Sequence, residues 1–381
     1  ASADSSYPTV AQNLIDWIQE EDTTRPTTIG DNTRGGNSTL VSVIQTIINE
    51  DGIAGFNYAN SASTLSNLAK NYGGNTGCII ASETSSAVNS RGIYTSQSNA
   101  SNADGKYHLT SYDTSAVSWG ITAHDSIYNT YQNDCVAGEF VWTGWDYIGE
   151  PTPWNGTGSG SVSGSGAIPN SSYFGIVDTA GFEKDTYYLY RSQWKQDDTT
   201  LHLVTAWDSD NMLTSSNKTP VVIYSNAPKV ELYRNGTLIG TATRTVNTTS
   251  AGHKYYTYTT TSNNSSVCTA VSGSNSTSLY ATFNVAYEVG TISAKAYDEN
   301  GNEITATSGN ASVSTPDTVS KLKVQTNKTE IQADGSSLAY ISVDVTDAND
   351  NLDTTATNTI NFSLTGNGEI VGVDNGDQAT T

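Results

Sequence analysis

The chain has 381 residues, 35% of them hydrophobic and 9% aromatic, which suits two or three folded domains and excludes disorder by composition. Its net charge of −21 comes from 38 acidic residues scattered among Ser, Thr, Asn and Gly, which argues against binding to nucleic acid or to anionic membranes. No apolar run approaches the roughly 18 residues that a membrane span needs, so we expect no membrane insertion. The first residues lack the basic and apolar stretches of a signal peptide.

Residues 1–196 alternate between segments typical of helices and segments typical of buried strands. Apolar spacing predicts helices at residues 10–21, with Thr9 as a possible N-cap, and at 40–48, 65–69 and 119–131. Strands are predicted at residues 26–31, 52–58, 78–83 and 136–142. Repeated βα units of this length predict a parallel sheet, either open or closed into a barrel.

Every predicted strand in this region ends on polar or aromatic residues. An uncharged run at residues 78–82 ends on the carboxylate of Glu83, and the other three strands end on Asp31-Asn32, Asn57-Tyr58 and Trp142. A βα barrel builds its catalytic face at these strand ends, so we expect a site here; the alternative is that Glu83 is a solvated loop residue. Because a barrel needs eight strands, we expect the C-terminal half of a (β/α)8 TIM barrel, with the first half upstream.

From about residue 201 the pattern becomes all-β. Alternating or apolar strands recur, and the dipeptide Asn235-Gly236 between two of them predicts a type I′ hairpin. Strand count and turn spacing predict an immunoglobulin-like β-sandwich at residues 197–315. After Pro316, strands predicted at 321–325, 339–345 and 360–364 begin an Ig-like domain at 316–381, which we expect to be truncated because such units need about 100 residues.

Several other residues carry acidic, imidazole or thiol groups. Glu139, in the middle of a strand, is either a carboxylate of the barrel interior or, less favoured, a catalytic group, and Asp178 is interpreted as a turn residue. The four histidines lie far apart, so we expect no metal site and treat them as structural or exposed, with His124 the one weak exception. Free buried thiols are favoured for the three cysteines, since a disulfide between Cys78 and Cys135 fits adjacent parallel strands poorly.

Several motifs resemble glycoside hydrolase family 2, in particular its large multidomain bacterial β-galactosidases. SETSSA at residues 82–87 and SRG at 90–92 resemble the nucleophile strand, and FVWTGWDYIGEPTPW at 140–154 resembles the eighth barrel strand. The likeness continues through the following segments: SYFGIVDTAG at 172–181, YSN at 224–226, VELYRNG at 230–236 and GVDNG at 372–376. It covers nearly the whole chain, and it implies that the four strands are barrel strands 5 to 8.

The resemblance implies a retaining mechanism, in which one carboxylate attacks the anomeric carbon and a second, about 5 Å away, protonates the leaving oxygen. By this resemblance Glu83 is the nucleophile, Tyr58 is the tyrosine that hydrogen-bonds it, and Trp142 is the platform beneath the sugar ring. Further predicted substrate contacts are Asp31, Asn32, Asn57, Asp146, Glu150 and Trp154.

The general acid/base of the family is a glutamate in an Asn-Glu pair at the end of barrel strand 4. Asn49-Glu50 is such a pair, but it closes a predicted helix and precedes the wrong strand, so we reject it. We therefore expect the acid/base to lie upstream of Ala1 and the isolated chain to be inactive.

These observations favour a retaining hydrolase of terminal β-D-galactosyl residues, acting on β-galactoside oligosaccharides or glycans together with the N-terminal half of the same enzyme and without a cofactor. Another specificity of the family, β-glucuronidase or β-mannosidase, is the close alternative. A non-catalytic carbohydrate-binding or adhesion fragment is the more distant one. The sandwich itself is interpreted as a scaffold, with a sugar-binding module and a spacer as alternatives, and we expect an extracellular or cell-wall location in a bacterium.

Overall fold

A computed structural model gives the structure of the protein and describes residues 4–95, 106–155, 169–214, 217–271 and 278–379. The first part alternates helices and strands as predicted. Its elements are α1 (Tyr7–Glu21), β1 (Thr28–Asp31), α2 (Ser38–Asn49), β2 (Ile53–Asn57), α3 (Ala62–Tyr72), β3 (Ile79–Ser85), α4 (Ala123–Tyr131), β4 (Val136–Trp142) and α5 (Asp185–Trp194).

The four strands form one parallel sheet in the order β1-β2-β3-β4. Small apolar residues such as Ala54 and Ala81 line its buried face, and α2 and α3 cover it. Within the described residues, β1 and β4 each pair with one neighbour only. The parallel sheet is therefore confirmed, whereas its closure into a barrel by four further strands stays a prediction.

Two helix starts differ from the predicted ones. Thr9 lies inside α1, whose N-cap is Ser6. The helix starts earlier because Pro8 is favoured in a first turn, where its missing N–H would have no helical partner. The helix α4 begins at Ala123 rather than near residue 119, since Thr122 caps it and the buried Asp113 carboxylate accepts from its first backbone N–H groups.

The predicted apolar face of α1 is exposed in the described structure. Val10, Leu14 and Ile18 are each about half exposed, and the helix packs on α2 through Ala11 and Ile15 instead. Periodicity identifies an apolar stripe on a helix, but it does not identify the surface against which the stripe packs.

Two antiparallel sheets follow and share one core. The first has the order β10-β11-β6-β5, and the second has the order β13-β12-β7-β8-β9 with β14 also paired to β12. The strands are β5 (Leu201–Val204), β6 (Lys218–Ser225), β7 (Lys229–Arg234), β8 (Thr237–Thr248), β9 (Lys254–Ser262), β10 (Cys268–Ala270), β11 (Ala281–Ala286), β12 (Thr291–Tyr297), β13 (Glu303–Ile304) and β14 (Ser312–Ser314). The predicted hairpin is confirmed, since Asn235 and Gly236 both have positive φ angles between β7 and β8.

The core of this sandwich continues into the first part of the chain. Ile127 of α4 and Leu189 of α5 belong to the same buried cluster as Trp207 and Phe283. Gln193 of α5, fully buried, exchanges hydrogen bonds with the backbone of Tyr256 in β9. The sandwich therefore packs against α4 and α5 of the first part.

Three tyrosines of β9 are buried rather than displayed as a sugar platform. Tyr255 stacks on Tyr131 of α4, Tyr256 lies under the guanidinium of Arg244, and Tyr258 donates to a backbone carbonyl. This packing favours the interpretation of the sandwich as a scaffold.

The last part of the chain holds one hairpin, β15 (Lys321–Thr326) and β16 (Ile341–Thr346), followed by the predicted turn around Asp347. The strand predicted at residues 360–364 is wrong, because this segment is irregular and pairs with no strand of the described structure. Its apolar residues Phe362 and Leu364 are exposed. An alternating pattern makes a strand only where a neighbouring strand accepts its hydrogen bonds.

Candidate active site

Glu83 and Tyr58 lie side by side at the carboxyl ends of β3 and β2. Asn57 is in register with Glu83, and the backbone N–H of Tyr58 donates to the Glu83 carbonyl over 2.8 Å. Burial raises the pKa of the Tyr58 phenol, and the Glu83 carboxylate raises it further through a hydrogen bond and its charge. The phenol therefore stays protonated and can donate to Glu83.

The chain leaves β3 through two residues in the left-handed region. Ser85 and Ser86 have φ angles of 64° and 52°, which non-glycine residues seldom adopt. The Ser86 hydroxyl donates to the Tyr58 oxygen over 2.9 Å, and the Ser85 carbonyl accepts from the Ile121 N–H. Gly120 passes so close to Ser85 that a Cβ would lie 2.3 Å from that carbonyl oxygen. Residues with such strained φ angles persist only where the surrounding structure holds them in place, and they are concentrated at functional sites.

An aromatic group from β4 completes this edge of the sheet. Trp142 is in register with Ser85, and its peptide bond to Thr143 is cis. Its ring packs edge-to-face on Tyr147, with 6.0 Å between the ring centroids. Tyr147 donates to the exposed Glu150 carboxylate over 2.5 Å. Burial raises the pKa of Tyr147, with the Glu150 hydrogen bond and charge and the nearby Tyr58 adding to the shift.

The sequence interpretation missed two aromatic residues of this site, Tyr147 and Trp119. Trp119 is partly exposed, and its side chain lies close enough to the Tyr58 phenol to lower the pKa of that group. The apolar spacing predicts Trp119 within a helix, but the residue precedes α4. Tyr147 lies in the aromatic-rich run at residues 142–154, and this run was the signal that pointed to it.

The structure contradicts the substrate-contact role predicted for Asp146. Its side chain is completely buried, pairs with the equally buried Lys184 at 2.6 Å, and accepts from the Gly175 N–H and from Gln378. All of these donors come from the protein, so no face of the carboxylate is left for a sugar hydroxyl. Asp146 instead fixes the loop that carries Tyr147.

Trp154 does not line an open cleft either. It is 2% exposed and packs edge-on against Tyr107 and Tyr173 in a small core beside the site. A buried indole ring supports the loop but offers no surface to a ligand.

Asp31 also has a structural role. It is buried and accepts from the backbone N–H groups of Thr33 and Gly35, which shapes the turn after β1. Asn32 is exposed at the same edge, and the half-buried Asn57 accepts from Ser82 in β3 over 2.8 Å. For Asn32, Asn57 and Glu150, contact with substrate stays a prediction.

The remaining candidates are held by internal partners. Glu139 points at α4, where Ser126 donates to it, and burial raises its pKa. Asp178 is buried, caps the backbone of Phe182 and pairs with Arg91, which bears out its interpretation as a turn residue. His202 does have a carboxylate partner, Asp185 at 2.7 Å, which the sequence did not reveal.

Among the described residues, no group of three or more His, Cys, Asp and Glu side chains is arranged to hold a metal ion. Cys78, Cys135 and Cys268 are free thiols. No helix in the described part of the chain has the length and apolar character of a membrane span.

The comparisons with known proteins agree on one family. Residues 322–381 match the model of glycoside hydrolase family 2 C-terminal domain 5, and residues 216–305 match a domain of unknown function (DUF4982). The β-galactosidase BoGH2A of Bacteroides ovatus is 31% identical over 378 residues. Together these matches support a fragment of a glycoside hydrolase family 2 protein.

The chain is shorter than each of the relatives that it matches here. The alignment with the B. ovatus protein covers 96% of this chain and 37% of that protein. The solved structure of a β-glycosidase from Bacteroides vulgatus superposes with a TM-score of 0.63 at 23% identity. The match covers 91% of this chain and 39% of the B. vulgatus chain, and it supports the fold described above. A stretch of 105 residues, 27% of this chain and 9% of the relative, is 38% identical to a putative β-glucuronidase of Formosa agariphila.

Proposed function

We propose that this chain carries the nucleophile side of the active site of a retaining β-galactosidase. The observation that carries the proposal is the pairing of Glu83 with Tyr58 at the carboxyl edge of the parallel sheet. The similarity to a β-galactosidase along 96% of the chain supports the choice of sugar. The acid/base glutamate is proposed to come from the part of the relatives that this chain does not span.

In the proposed reaction the Glu83 carboxylate attacks the anomeric carbon and forms a glycosyl ester, while the aglycone leaves with a proton from the acid/base. Water then attacks the same carbon, gives a proton to that second carboxylate and releases Glu83. Tyr58 donates to Glu83 while it is ionised and holds the attacking oxygen in place, which its raised pKa permits because the phenol keeps its proton.

Aromatic residues around the pair suit a sugar. Trp142 lies beside Ser85 at the end of β3, and Tyr147 and Trp119 lie near Tyr58. Aromatic rings of this kind pack against the C–H groups of a pyranose. In contrast, the buried tyrosines of β9 give no support to a sugar-binding role of the sandwich. The catalytic proposal is therefore favoured over that of a carbohydrate-binding or adhesion fragment.

Removing the Tyr58 hydroxyl tests how the nucleophile is held. Tyr58→Phe in the complete enzyme is expected to lower kcat/KM for an aryl β-galactoside about 10- to 100-fold, because a hydrogen bond to a charged group is lost. Tyr72→Phe, a tyrosine that packs on Phe56 at the helix side of the sheet, is the matched control and should leave kcat/KM unchanged. Equal effects of the two variants would contradict the assigned role of Tyr58.

β-Glucuronidase is the second candidate, favoured by the Formosa agariphila relative and by a cation at the site. Arg34 follows β1 with a φ of 52°, and its guanidinium donates to the carbonyls of Asn32 and Asn57. A glucuronide carries a carboxylate that such a cation can pair with, whereas galactose is neutral.

A substrate comparison separates the two activities. We expect the complete enzyme to hydrolyse an aryl β-galactoside at least about 100-fold more efficiently than the matching glucuronide, and Arg34→Gln to change that ratio little, since galactose offers no charge to lose. The exposed Arg25, which pairs with Asp22 before β1, supplies the control variant Arg25→Gln. A preference for the glucuronide that Arg34→Gln abolishes would replace the galactosidase proposal.

A further inference from the structure

Residues 374–378, from the far end of the chain, return to the first part of the molecule and touch the two loops that frame the candidate site. The loop after β3 runs through Asn89 and Arg91, and the loop after β4 runs through Asp146. Gln378 is 2% exposed and lies between them. A single side chain 232 residues beyond Asp146 in sequence therefore joins two loops that the sheet alone does not connect.

The amide of Gln378 makes three hydrogen bonds across this gap to residues that the structure describes. Its Nε2 donates to Asp146 Oδ2 over 2.9 Å and to the Asn89 carbonyl over 3.3 Å, and its Oε1 accepts from the Ser90 hydroxyl over 3.2 Å. Only an amide offers both donors and an acceptor in this arrangement. The side chain thus bonds to the loop after β3 at two points and to the loop after β4 at one.

The bond to Asp146 completes a buried ion pair. Burial raises the pKa of Asp146 and lowers the pKa of Lys184, so each charge depends on the donors and acceptors that the protein supplies. Lys184 also donates to the Asn89 carbonyl over 2.8 Å, which draws the loop after β3 into the same network.

A second contact anchors the same segment. Arg91 bonds the Asn375 carbonyl through Nη2 and pairs with Asp178 through Nε. Gly376 has a φ of 71°, and a Cβ on it would lie 2.1 Å from the Asp178 carboxylate, so a glycine is required for this approach. The segment is therefore shaped to fit this surface.

These two loops carry the site residues. Glu83 and Ser86 lead directly into the loop that holds Asn89, and Trp142, Tyr147 and Glu150 flank Asp146. We propose that Gln378 is a positioning residue of the active site, which locks the aromatic loop after β4 onto the loop after β3. This inference rests on the proposed function, since it assigns Gln378 to the geometry of the same site.

The test compares two buried glutamines in the complete enzyme. Gln378→Leu removes the three bonds described above. Gln193→Leu is the matched control, because Gln193 is equally buried and makes three bonds to the backbone of Tyr256 and Leu279 and none, among the described residues, to the loops after β3 and β4. We measure thermal stability, kcat/KM for an aryl β-galactoside below the melting temperature of each variant, and hydrogen exchange of the peptides at 87–93 and 143–149.

Gln378→Leu is expected to lower kcat/KM about 10- to 100-fold, as a displacement of about 1 Å does, and to speed exchange in both peptides. Gln193→Leu is expected to lower stability while leaving kcat/KM within about twofold and the exchange of these peptides unchanged. Gln378→Asn, which keeps the amide but is too short to bridge, should behave like Gln378→Leu.

The positioning role is overturned if Gln378→Leu leaves kcat/KM unchanged or leaves the exchange of both peptides unchanged. It is also overturned if Gln193→Leu loses as much activity as Gln378→Leu. If the wild-type enzyme hydrolyses no β-glycoside, the proposed function fails, and the exchange of the two peptides still decides whether Gln378 couples the loops.

Discussion

Glu83→Gln is expected to lower kcat of the complete enzyme on an aryl β-galactoside by about 10⁴-fold or more, because an amide cannot form the glycosyl ester. The neighbouring groups stay in place, since Gln has the same shape as Glu and Tyr58 can still donate to its carbonyl oxygen. Steady-state kinetics on the purified variant, with circular dichroism to verify folding, measure the effect.

Glu150→Gln is the matched control for this substitution. Glu150 lies at the same edge of the sheet and binds the Tyr147 hydroxyl, so its loss weakens one hydrogen bond and should cost no more than about 10- to 100-fold in kcat/KM. Activity of Glu83→Gln equal to that of Glu150→Gln would show that Glu83 is one polar group among several and not the nucleophile.

Lys184→Met is expected to reduce the free energy of unfolding by about 3–5 kcal/mol, the second large effect. The substitution leaves the Asp146 carboxylate fully buried without its cation, which costs more than the loss of a surface ion pair. Urea denaturation followed by tryptophan fluorescence measures the change, and activity should fall with it, because Asp146 fixes the loop that carries Tyr147.

Two further variants separate the charge from the packing. Lys295→Met removes an exposed pair with Glu303 and should leave the urea midpoint unchanged. Asp146→Asn combined with Lys184→Met removes both buried charges and should recover a large part of the lost stability. If the double variant is less stable than Lys184→Met, the penalty does not come from an unpaired carboxylate.

The positions of the strands were predictable because buried parallel strands are short apolar runs. The residues predicted at 136–142 are those of β4, and Glu83 lies in β3 as expected. The proximity of Glu83, Tyr58 and Trp142 followed as well, since the carboxyl ends of neighbouring parallel strands meet at one edge. The local sequence pattern was therefore enough to predict where these residues lie.

The roles of Asp146 and Trp154 could not be predicted in the same way. Both lie in a polar, aromatic run typical of a binding loop, but their burial depends on Lys184, Tyr173 and Gln378, which lie up to 232 residues away in the chain. Which polar residues of a loop face a ligand is decided by such long-range partners. The exposure of the apolar face of α1 could not be predicted for the same reason, because a periodic apolar stripe does not indicate which surface packs against it.

Labelling with a 2-deoxy-2-fluoro-β-galactosyl fluoride tests the central claim most directly. The reagent is added to this chain alone, to the upstream half alone and to the two together, and peptides are then analysed by mass spectrometry. We predict one equivalent of label on the peptide that contains Glu83, together with turnover of an aryl β-galactoside, only in the mixture. Turnover in the mixture with the label on another carboxylate, or with Glu83 unmodified, would contradict the assignment of Glu83 as the nucleophile.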